Sequence, residues 1–158
     1  MRFLNKVIFL SFILVVFFAG CSKENDLVYC TAEWKPAFAE FNVVDKQTGE
    51  DLFFVDTPRY NTSQIVFFKT SDKLQKDTIR PAIEGSGKTG FFKLALINTV
   101  ERDTLIMKLP AKGPAQSTDL YIYTIKKTGG DCPQSLLDRS FINGIEITPE
   151  NGRLIFKK

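Results

Sequence analysis

The chain is divided into short segments rich in β-branched and aromatic residues, separated by turn signals roughly every 8–12 residues. Each connecting stretch contains glycine or proline, and no window shows a sustained apolar period of 3.6 residues. Apolar residues alternate in places, so that Leu105, Met107 and Leu109 share one face of their segment. The pattern predicts an all-β fold: an antiparallel β-sandwich, Ig-like or similar, of about eight to nine strands, with a small β-barrel as the alternative.

The turn segments between them delimit the predicted strands. They are Phe38–Val44, Asp51–Val55, Gln64–Lys69, Asp77–Ile83, Phe91–Thr99, Asp103–Leu109, Asp119–Lys126, Phe141–Thr148 and Arg153–Lys157. The segment from Ile142 to Phe156 predicts a terminal hairpin that turns at Pro149–Gly152. Only Pro133–Arg139 favours a helical turn.

The first 21 residues have the composition of an export leader. A basic start precedes twelve residues, Val7–Phe18, of which only Ser11 is polar. This stretch is too short for a membrane-spanning helix, which needs about 20 apolar residues. Ala19 and Gly20 then lead into Cys21, which resembles a bacterial lipobox with Phe18 where leucine is usual. Acylation of Cys21 is therefore predicted, with an ordinary cleaved signal or a lone apolar helix as the alternative.

The leader sets the predicted domain organisation. Residues 1–20 form the signal peptide, residues 21–36 the lipidated N-terminus and a polar tether, and residues 37–158 one β-sandwich domain. The 138 residues left after cleavage carry 19 basic and 18 acidic side chains, because Arg2 and Lys6 leave with the leader. No run of lysine or arginine exceeds two residues, so nucleic-acid binding is not predicted.

Histidine is absent from the chain, which excludes several mechanisms. Neither a Ser-His-Asp nor a Cys-His arrangement can form, and no imidazole is available to a metal. Chemistry that uses only carboxylates remains open, but sequence cannot pair the 18 acidic residues in space. No catalytic residue, metal site or cofactor is predicted.

The three cysteines fit an exported protein. If Cys21 carries lipid, Cys30 and Cys132 remain as a pair that can form a disulfide in an oxidising compartment. This predicted bond would close a loop of about 100 residues. The alternative is two buried or mispaired thiols. No Cys-x-x-Cys spacing occurs, so neither a metal ribbon nor a thioredoxin-like motif is predicted.

Residues 82–89, AIEGSGKT, satisfy a relaxed phosphate-loop pattern. A phosphate loop must open a helix whose N-terminal amides hold the phosphates. Here Pro81 lies just upstream, and Gly90 and a strand-like segment follow, so no helix can begin. The segment predicts a glycine-rich hairpin turn, and nucleotide binding is rejected.

Three aromatic residues are candidate glycan contacts. Tyr121 and Tyr123 lie two residues apart and could stack on a sugar ring, but a central strand buried on both faces is the favoured interpretation. Trp34, beside Pro36, is either an exposed ligand anchor or, as we favour, a residue that fixes the tether to the domain.

Two Asp-Thr-aliphatic triplets suggest sites of sugar attachment. Asp77-Thr78-Ile79 and Asp103-Thr104-Leu105 resemble the O-glycosylation signal of exported Bacteroidota proteins, which makes Thr78 and Thr104 candidates. Both triplets fall at predicted strand starts, where aspartate and threonine also serve as turn residues.

Two longer stretches carry a family resemblance. Residues 42–53, NVVDKQTGEDLF, resemble the hairpin that opens the β-sandwich of small uncharacterised lipoproteins of Bacteroidota, and residues 141–156 resemble the hairpin that closes it. Lys23-Glu24 after the lipid cysteine is similar to the surface-export signal of that family. The resemblance implies an envelope location and surface display, and it carries no catalytic residue.

These observations predict a membrane-anchored, non-enzymatic binding or structural module of the bacterial outer membrane, either periplasmic or surface-exposed. Two or three acyl chains would hold it lastingly, at about 0.8 kcal/mol per buried methylene. Its expected partners are the membrane and a co-encoded envelope protein or a glycan. A lipoprotein that binds glycans or cell-wall polymers is the alternative, followed by a carboxylate-dependent hydrolase.

Overall fold

Short β-strands make up most of the structure. The computed structural model describes residues 36–97, 101–109, 117–130 and 132–158. The strands in these ranges are β1 (Phe38–Val44), β2 (Val66–Lys69), β3 (Ala82–Glu84), β4 (Phe91–Ala95), β5 (Arg102–Leu109), β6 (Ser117–Lys127), β7 (Ser135–Ile142), β8 (Ile145–Glu146) and β9 (Leu154–Lys157). Two 3₁₀ turns, Thr62–Gln64 and Gly87–Thr89, complete the regular elements of the described residues.

The strands form two sheets. The four-stranded sheet has the order β3-β4-β1-β9, and the five-stranded sheet has the order β2-β5-β6-β7-β8. Every neighbouring pair is antiparallel except β1 and β9, which run parallel with Phe41 opposite Leu154. The predicted all-β sandwich is confirmed, and the described strands close no barrel.

Aromatic side chains join the two sheets. Phe41 of the four-stranded sheet stacks on Phe156, with ring centroids 4.6 Å apart, and meets Phe67 of the five-stranded sheet edge-on at 5.9 Å. Tyr121 contacts both Phe67 at 6.2 Å and Phe156 at 5.6 Å, which completes a circuit of four rings. All four residues are buried. Each ring removes a large apolar area from water, and offset or edge-on pairs add about 0.5–1.5 kcal/mol each.

The alternation predicted for β5 is confirmed, because Leu105, Met107 and Leu109 are all buried. The predicted strand at Asp51–Val55 is wrong, since these residues form bends after an isolated bridge to β1. Oδ1 of Asp51 accepts from the backbone N–H groups of Phe53 and Phe54, each at 2.8 Å. A side chain that satisfies local donors in this way competes with a strand ladder.

Other predicted boundaries shift by several residues. The segment Gln64–Lys69 begins with the end of a 3₁₀ turn, and the segment Asp77–Ile83 supplies only the start of β3 and a bridge from Ile79 to Phe67. The segment Phe91–Thr99 ends as a strand at Ala95, and its residues 98 and 99 lie outside the described ranges.

The C-terminal region differs most from prediction. The predicted strand Phe141–Thr148 is interrupted at Asn143-Gly144, where both residues have positive φ (51° and 83°), as in a type I′ hairpin turn. The helical turn predicted at Pro133–Arg139 is wrong, because most of this segment belongs to β7. The predicted turn at Pro149–Gly152 is present, because Glu150 and Arg153 exchange backbone hydrogen bonds of 2.8 and 3.0 Å. The strands of the predicted terminal hairpin do not pair with each other, however, because β8 pairs with β7 and β9 pairs with β1 in the other sheet.

The glycine-rich segment 82–89 is the turn that its sequence predicts. β3 and β4 pair antiparallel on either side of it, with Ala82 opposite Lys93. Gly85 has a φ of 74°, and a Cβ there would lie 2.8 Å from the Thr89 carbonyl oxygen. No residue of this loop opens a helix longer than one turn.

Gly90, just after this turn, offers a test of core packing. A Cβ at Gly90 would lie 2.3 Å from Cδ1 of Phe54, and its carbonyl accepts from Nδ2 of Asn42 at 2.9 Å. We expect Gly90→Ala to lower the free energy of unfolding by about 1–3 kcal/mol, because the ring must move within a filled core. Gly129→Ala is the control, since no atom lies within 4 Å of a Cβ there. Urea unfolding measures the free energy of unfolding of both variants, and equal values would contradict the described packing.

Candidate functional site

The tyrosines predicted as candidate glycan contacts lie in the core. Tyr121 and Tyr123 both have 0% exposed surface, so neither can form a surface platform for a sugar ring. This corrects their assignment as glycan contacts and agrees with the favoured central strand, which is β6. The prediction that both faces of this strand are buried is wrong, because Leu120 on the other face is 44% exposed. Trp34, the third candidate, lies outside the described residues.

The phenol groups of these tyrosines are used internally. The Tyr121 hydroxyl lies 3.1 Å from Oγ of Ser140, and burial raises the pKa of Tyr121. The Tyr123 hydroxyl accepts from the Ile97 backbone N–H at 3.1 Å and donates to Oδ2 of Asp103 at 3.3 Å. Burial raises the pKa of Tyr123 to about 12, so both phenols stay protonated at neutral pH.

The remaining candidates are dispersed. Thr78 is exposed in the segment before β3, and Thr104 is half-buried in β5. Cys132 is exposed between β6 and β7, whereas Cys21 and Cys30 lie outside the described residues, so the disulfide and the lipid anchor stay predictions. The predicted leader, residues 1–20, and all but the last residue of the predicted N-terminus and tether, residues 21–36, lie outside the described residues.

A solvent-open groove lies between β8 and β9, the edge strands of the two sheets. It has a volume of about 410 Å³ and is called the edge groove below. Its apolar lining consists of Ile142, Ile145, Ile147, Ile155 and Phe156. Its polar lining consists of Lys46, Glu146, Thr148, Glu150 and Lys157.

The apolar floor belongs to the inner face of the five-stranded sheet. Ile142 lies opposite Tyr121 of β6, whose side chain is in the core, and Ile145 lies opposite Ile142. Partners directly across a ladder share a face, so Ile145 points to the core side of the sheet. Its side chain is nevertheless 74% exposed. The four-stranded sheet therefore ends before it covers this residue.

The other wall of the groove is β9, whose outer edge has no strand beside it in the described residues. The Lys158 N–H donates to the Val44 carbonyl at 2.8 Å, and the Lys46 N–H donates to the Lys158 carbonyl at 2.5 Å. Backbone groups of successive residues point to opposite edges of a strand. Ile155 and Lys157 therefore direct their backbone N–H and C=O groups towards the edge groove.

An ion pair between the half-buried Lys158 and the buried Asp119 holds the end of β9 against the five-stranded sheet. The Lys158 ammonium pairs with Oδ2 of Asp119 and donates to Oγ of Ser117 at 2.5 Å. Oδ1 of Asp119 accepts from Nδ2 of Asn143 at 2.7 Å. Burial lowers the pKa of Lys158. Since Asn143 belongs to the β7–β8 turn, this network connects β9, β6 and the strands beneath the edge groove.

Cations follow the outer face of β9. Arg153, just before β9, and Lys157 lie four residues apart on that face, with Ile155 between them. The Arg153 guanidinium stacks over the Phe91 ring of β4 at 3.9 Å, which directs it away from the groove. Lys46 adds a third cation at the end of the groove nearest Lys157. Lys46 and Lys157 make this end of the groove positive, whereas Glu146 lies in β8 and Glu150 pairs through its backbone with Arg153 just before β9.

The described residues contain no group of three or more acidic or cysteine side chains that could hold a metal ion. Among the same residues, no helix is long and apolar enough to cross a membrane. The edge groove combines an apolar floor, unpaired strand-edge groups at Ile155 and Lys157, and charged rims.

No protein-family model, curated protein or solved structure matches this chain. The resemblance to small lipoproteins of Bacteroidota therefore stays a prediction.

The edge groove was not predicted from the sequence, because residues 141–148 were expected to form one uninterrupted strand. An uninterrupted strand would place Phe141, Ile145 and Ile147 on one face, but the turn at Asn143-Gly144 resets the alternation. The face is instead shared by Ile142, Ile145 and Ile147. The dipeptide Asn-Gly, a strong signal of a two-residue hairpin turn, could have revealed this.

The turn that places Lys46 at the groove depends on Asp45. Its Oδ1 accepts from the N–H groups of Gln47 and Thr48, and its Oδ2 accepts from Arg59 at 2.6 Å. The hydrogen bond from Arg59, followed by those from the two backbone amides, lowers the pKa of Asp45 to about 2.

Arg59→Gln is expected to raise the pKa of Asp45 towards its ordinary value of 3.8. Because the folded pKa is the lower one, the carboxylate stabilises the fold above about 3.8, and this contribution is lost as the pH falls through about 2. Carbon-13 NMR titration of the carboxyl group measures the change. Arg102→Gln, at an exposed residue of β5, is the control. An unchanged Asp45 pKa in Arg59→Gln would contradict this assignment.

Proposed function

We propose that the mature chain is a lipid-anchored lipoprotein of the bacterial outer membrane whose β-sandwich is a non-enzymatic binding or structural module. The edge groove is its binding surface. The observation that carries this proposal is Ile145, an inner-face side chain that remains 74% exposed beside an unpaired strand edge. Apolar surface of this kind, rimmed by charges, is typical of interaction sites.

The anchor is proposed from the leader. A cysteine after an apolar stretch and small residues fits acylation at Cys21, and Lys23-Glu24 fits surface display. A bond between Cys30 and Cys132 would then fix the tether to the loop between β6 and β7. The partner at the groove is a co-encoded envelope protein or a glycan.

A lipoprotein that binds glycans or cell-wall polymers is the second candidate. Burial removes Tyr121 and Tyr123 from its predicted contacts, and only Trp34 supports it. A carboxylate-dependent hydrolase is the third candidate. Glu146 and Glu150 line the edge groove and are both exposed, whereas a catalytic acid usually depends on an apolar environment.

Cys21→Ser tests the anchor. Without the thiol no thioether to lipid can form, so the protein should lose palmitate incorporation and either leave the membrane fraction or remain uncleaved. Labelling with palmitate and partition into a detergent phase measure these losses. Cys30→Ser is the control, which should keep both palmitate incorporation and membrane partition. A Cys21→Ser protein that is cleaved and still partitions with membranes would contradict the lipoprotein assignment.

A photo-crosslinker at residue 145 tests the binding surface. Benzoylphenylalanine in place of Ile145, expressed in the native host, should form an adduct of defined mass on irradiation, because the groove is occupied in the envelope. Leu74 is the matched control, since its side chain is 73% exposed and lies away from the groove lining. Equal crosslinking at both positions, or none at residue 145, would contradict a binding role for the groove.

A further inference from the structure

The two sheets differ in width at the edge groove. The five-stranded sheet ends at β8, and the four-stranded sheet facing it ends at β9. Ile142, Ile145 and Ile147 share the inner face of the wider sheet beyond that end. One further strand beside β9 would lie over these residues and cover them as the rest of the core is covered.

The edge of β9 has the hydrogen-bonding groups for such a strand. Ile155 and Lys157 each present one N–H and one C=O towards the groove, and no described strand forms hydrogen bonds with these groups. Exposed groups in this arrangement are a template for an added strand.

The other sheet edges are better protected. Phe67 of β2 exchanges two backbone hydrogen bonds of 2.8 Å with Ile79, which covers that edge. β3 has three residues and follows Pro81, and β8 has two residues. Short strands and proline are common means of blocking edge pairing. β9 is itself covered just before its start, where Glu150 and Arg153 exchange two backbone hydrogen bonds of 2.8 and 3.0 Å, but its groups at Ile155 and Lys157 stay open. Among the described strands, this part of β9 is therefore the edge most available to a partner.

We propose that the edge groove binds an extended polypeptide strand of a partner protein, which pairs with β9 and fills the missing place in the four-stranded sheet. This inference rests on the proposed binding role of the groove and names its partner class. About five partner residues would suffice to meet the free edge, since a strand rises about 3.3 Å per residue.

Alternate side chains of the partner have different requirements. Those that point inwards meet Ile145, Ile147 and Phe156, so they are apolar. Those that point outwards lie beside Lys157 on the outer face of β9, with Lys46 at the same end of the groove, so acidic residues complement them. The preferred partner strand therefore alternates apolar and acidic residues.

The backbone bonds of Arg153 disfavour a second copy of this chain. An antiparallel pair of two β9 strands centred on Ile155 would need the backbone N–H and C=O groups of Arg153, which already pair with Glu150. A separate polypeptide that pairs only with Ile155 and Lys157 avoids this conflict.

A labelled peptide of about nine residues that alternates glutamate and valine is the probe. Fluorescence anisotropy measures its binding to the protein expressed from its full-length chain and purified in detergent. A peptide of equal composition with its valines contiguous, and one that alternates lysine and valine, should each bind at least about tenfold more weakly. Equal binding of all three peptides would overturn the proposal.

Two variants locate the peptide. Ile155→Pro removes one edge N–H that points away from β1, and Ile145→Glu places a charge on the groove floor. Each should weaken binding of the glutamate–valine peptide by about tenfold or more, whereas Leu74→Glu, equally exposed elsewhere, should not. Circular dichroism checks that all three variants remain folded. Equal affinity of Ile145→Glu and Leu74→Glu would overturn the proposal even if Ile155→Pro unfolds.

Amide hydrogen exchange separates the possible occupants. Exchange at Ile155 and Lys157 should be fast in the protein alone and slow at least about tenfold when the glutamate–valine peptide binds. Protection without peptide that is lost on dilution would identify a second copy, and protection at every concentration would identify another segment of this chain. Either result overturns the proposal. A photo-adduct at residue 145 that resists proteases would overturn it too, while leaving the binding role of the groove intact.

Discussion

The circuit of Phe41, Phe67, Tyr121 and Phe156 is the contact on which the rest of the structure depends. It takes two rings from each sheet, so neither sheet can bury its apolar face without the other. The rings also fix the separation and register of the sheets, because bulky side chains on alternate residues leave few arrangements without voids. Where these rings end, at Phe156, the edge groove begins.

Polar groups in the core specify this packing further. Tyr121 and Ser140 satisfy each other across β6 and β7, and Tyr123 connects β6 to Asp103 and to the backbone after β4. A buried hydroxyl without a partner is costly, so each bond disfavours a shifted register. The pair of Lys158 and Asp119 has the same role at the end of β9, where it holds the strand that lines the groove.

The fold class could be predicted from the sequence because alternation and turn residues are local signals. β1 is predicted to the residue, and β5, β6 and β9 to within two residues. What failed depends on distant partners or on one turn: Asp51 caps a bend instead of opening a strand, and Asn143-Gly144 divides a continuous apolar run. The parallel partner of β9 lies over a hundred residues away, and no local pattern indicates it. The groove was missed for the same reason, since it exists only once β8 and β9 have joined different sheets.

The parallel pairing of β1 with β9 has a consequence for the order of folding. Phe41 and Leu154 are 113 residues apart in the chain, so their contact closes one of the longest loops in the domain. Long-range parallel contacts form late, because loop entropy opposes them until the intervening structure is in place. Until then β1 exposes its own unpaired edge to other chains. Until β9 pairs with it, this strand would therefore need protection from off-pathway pairing with the strands of other chains.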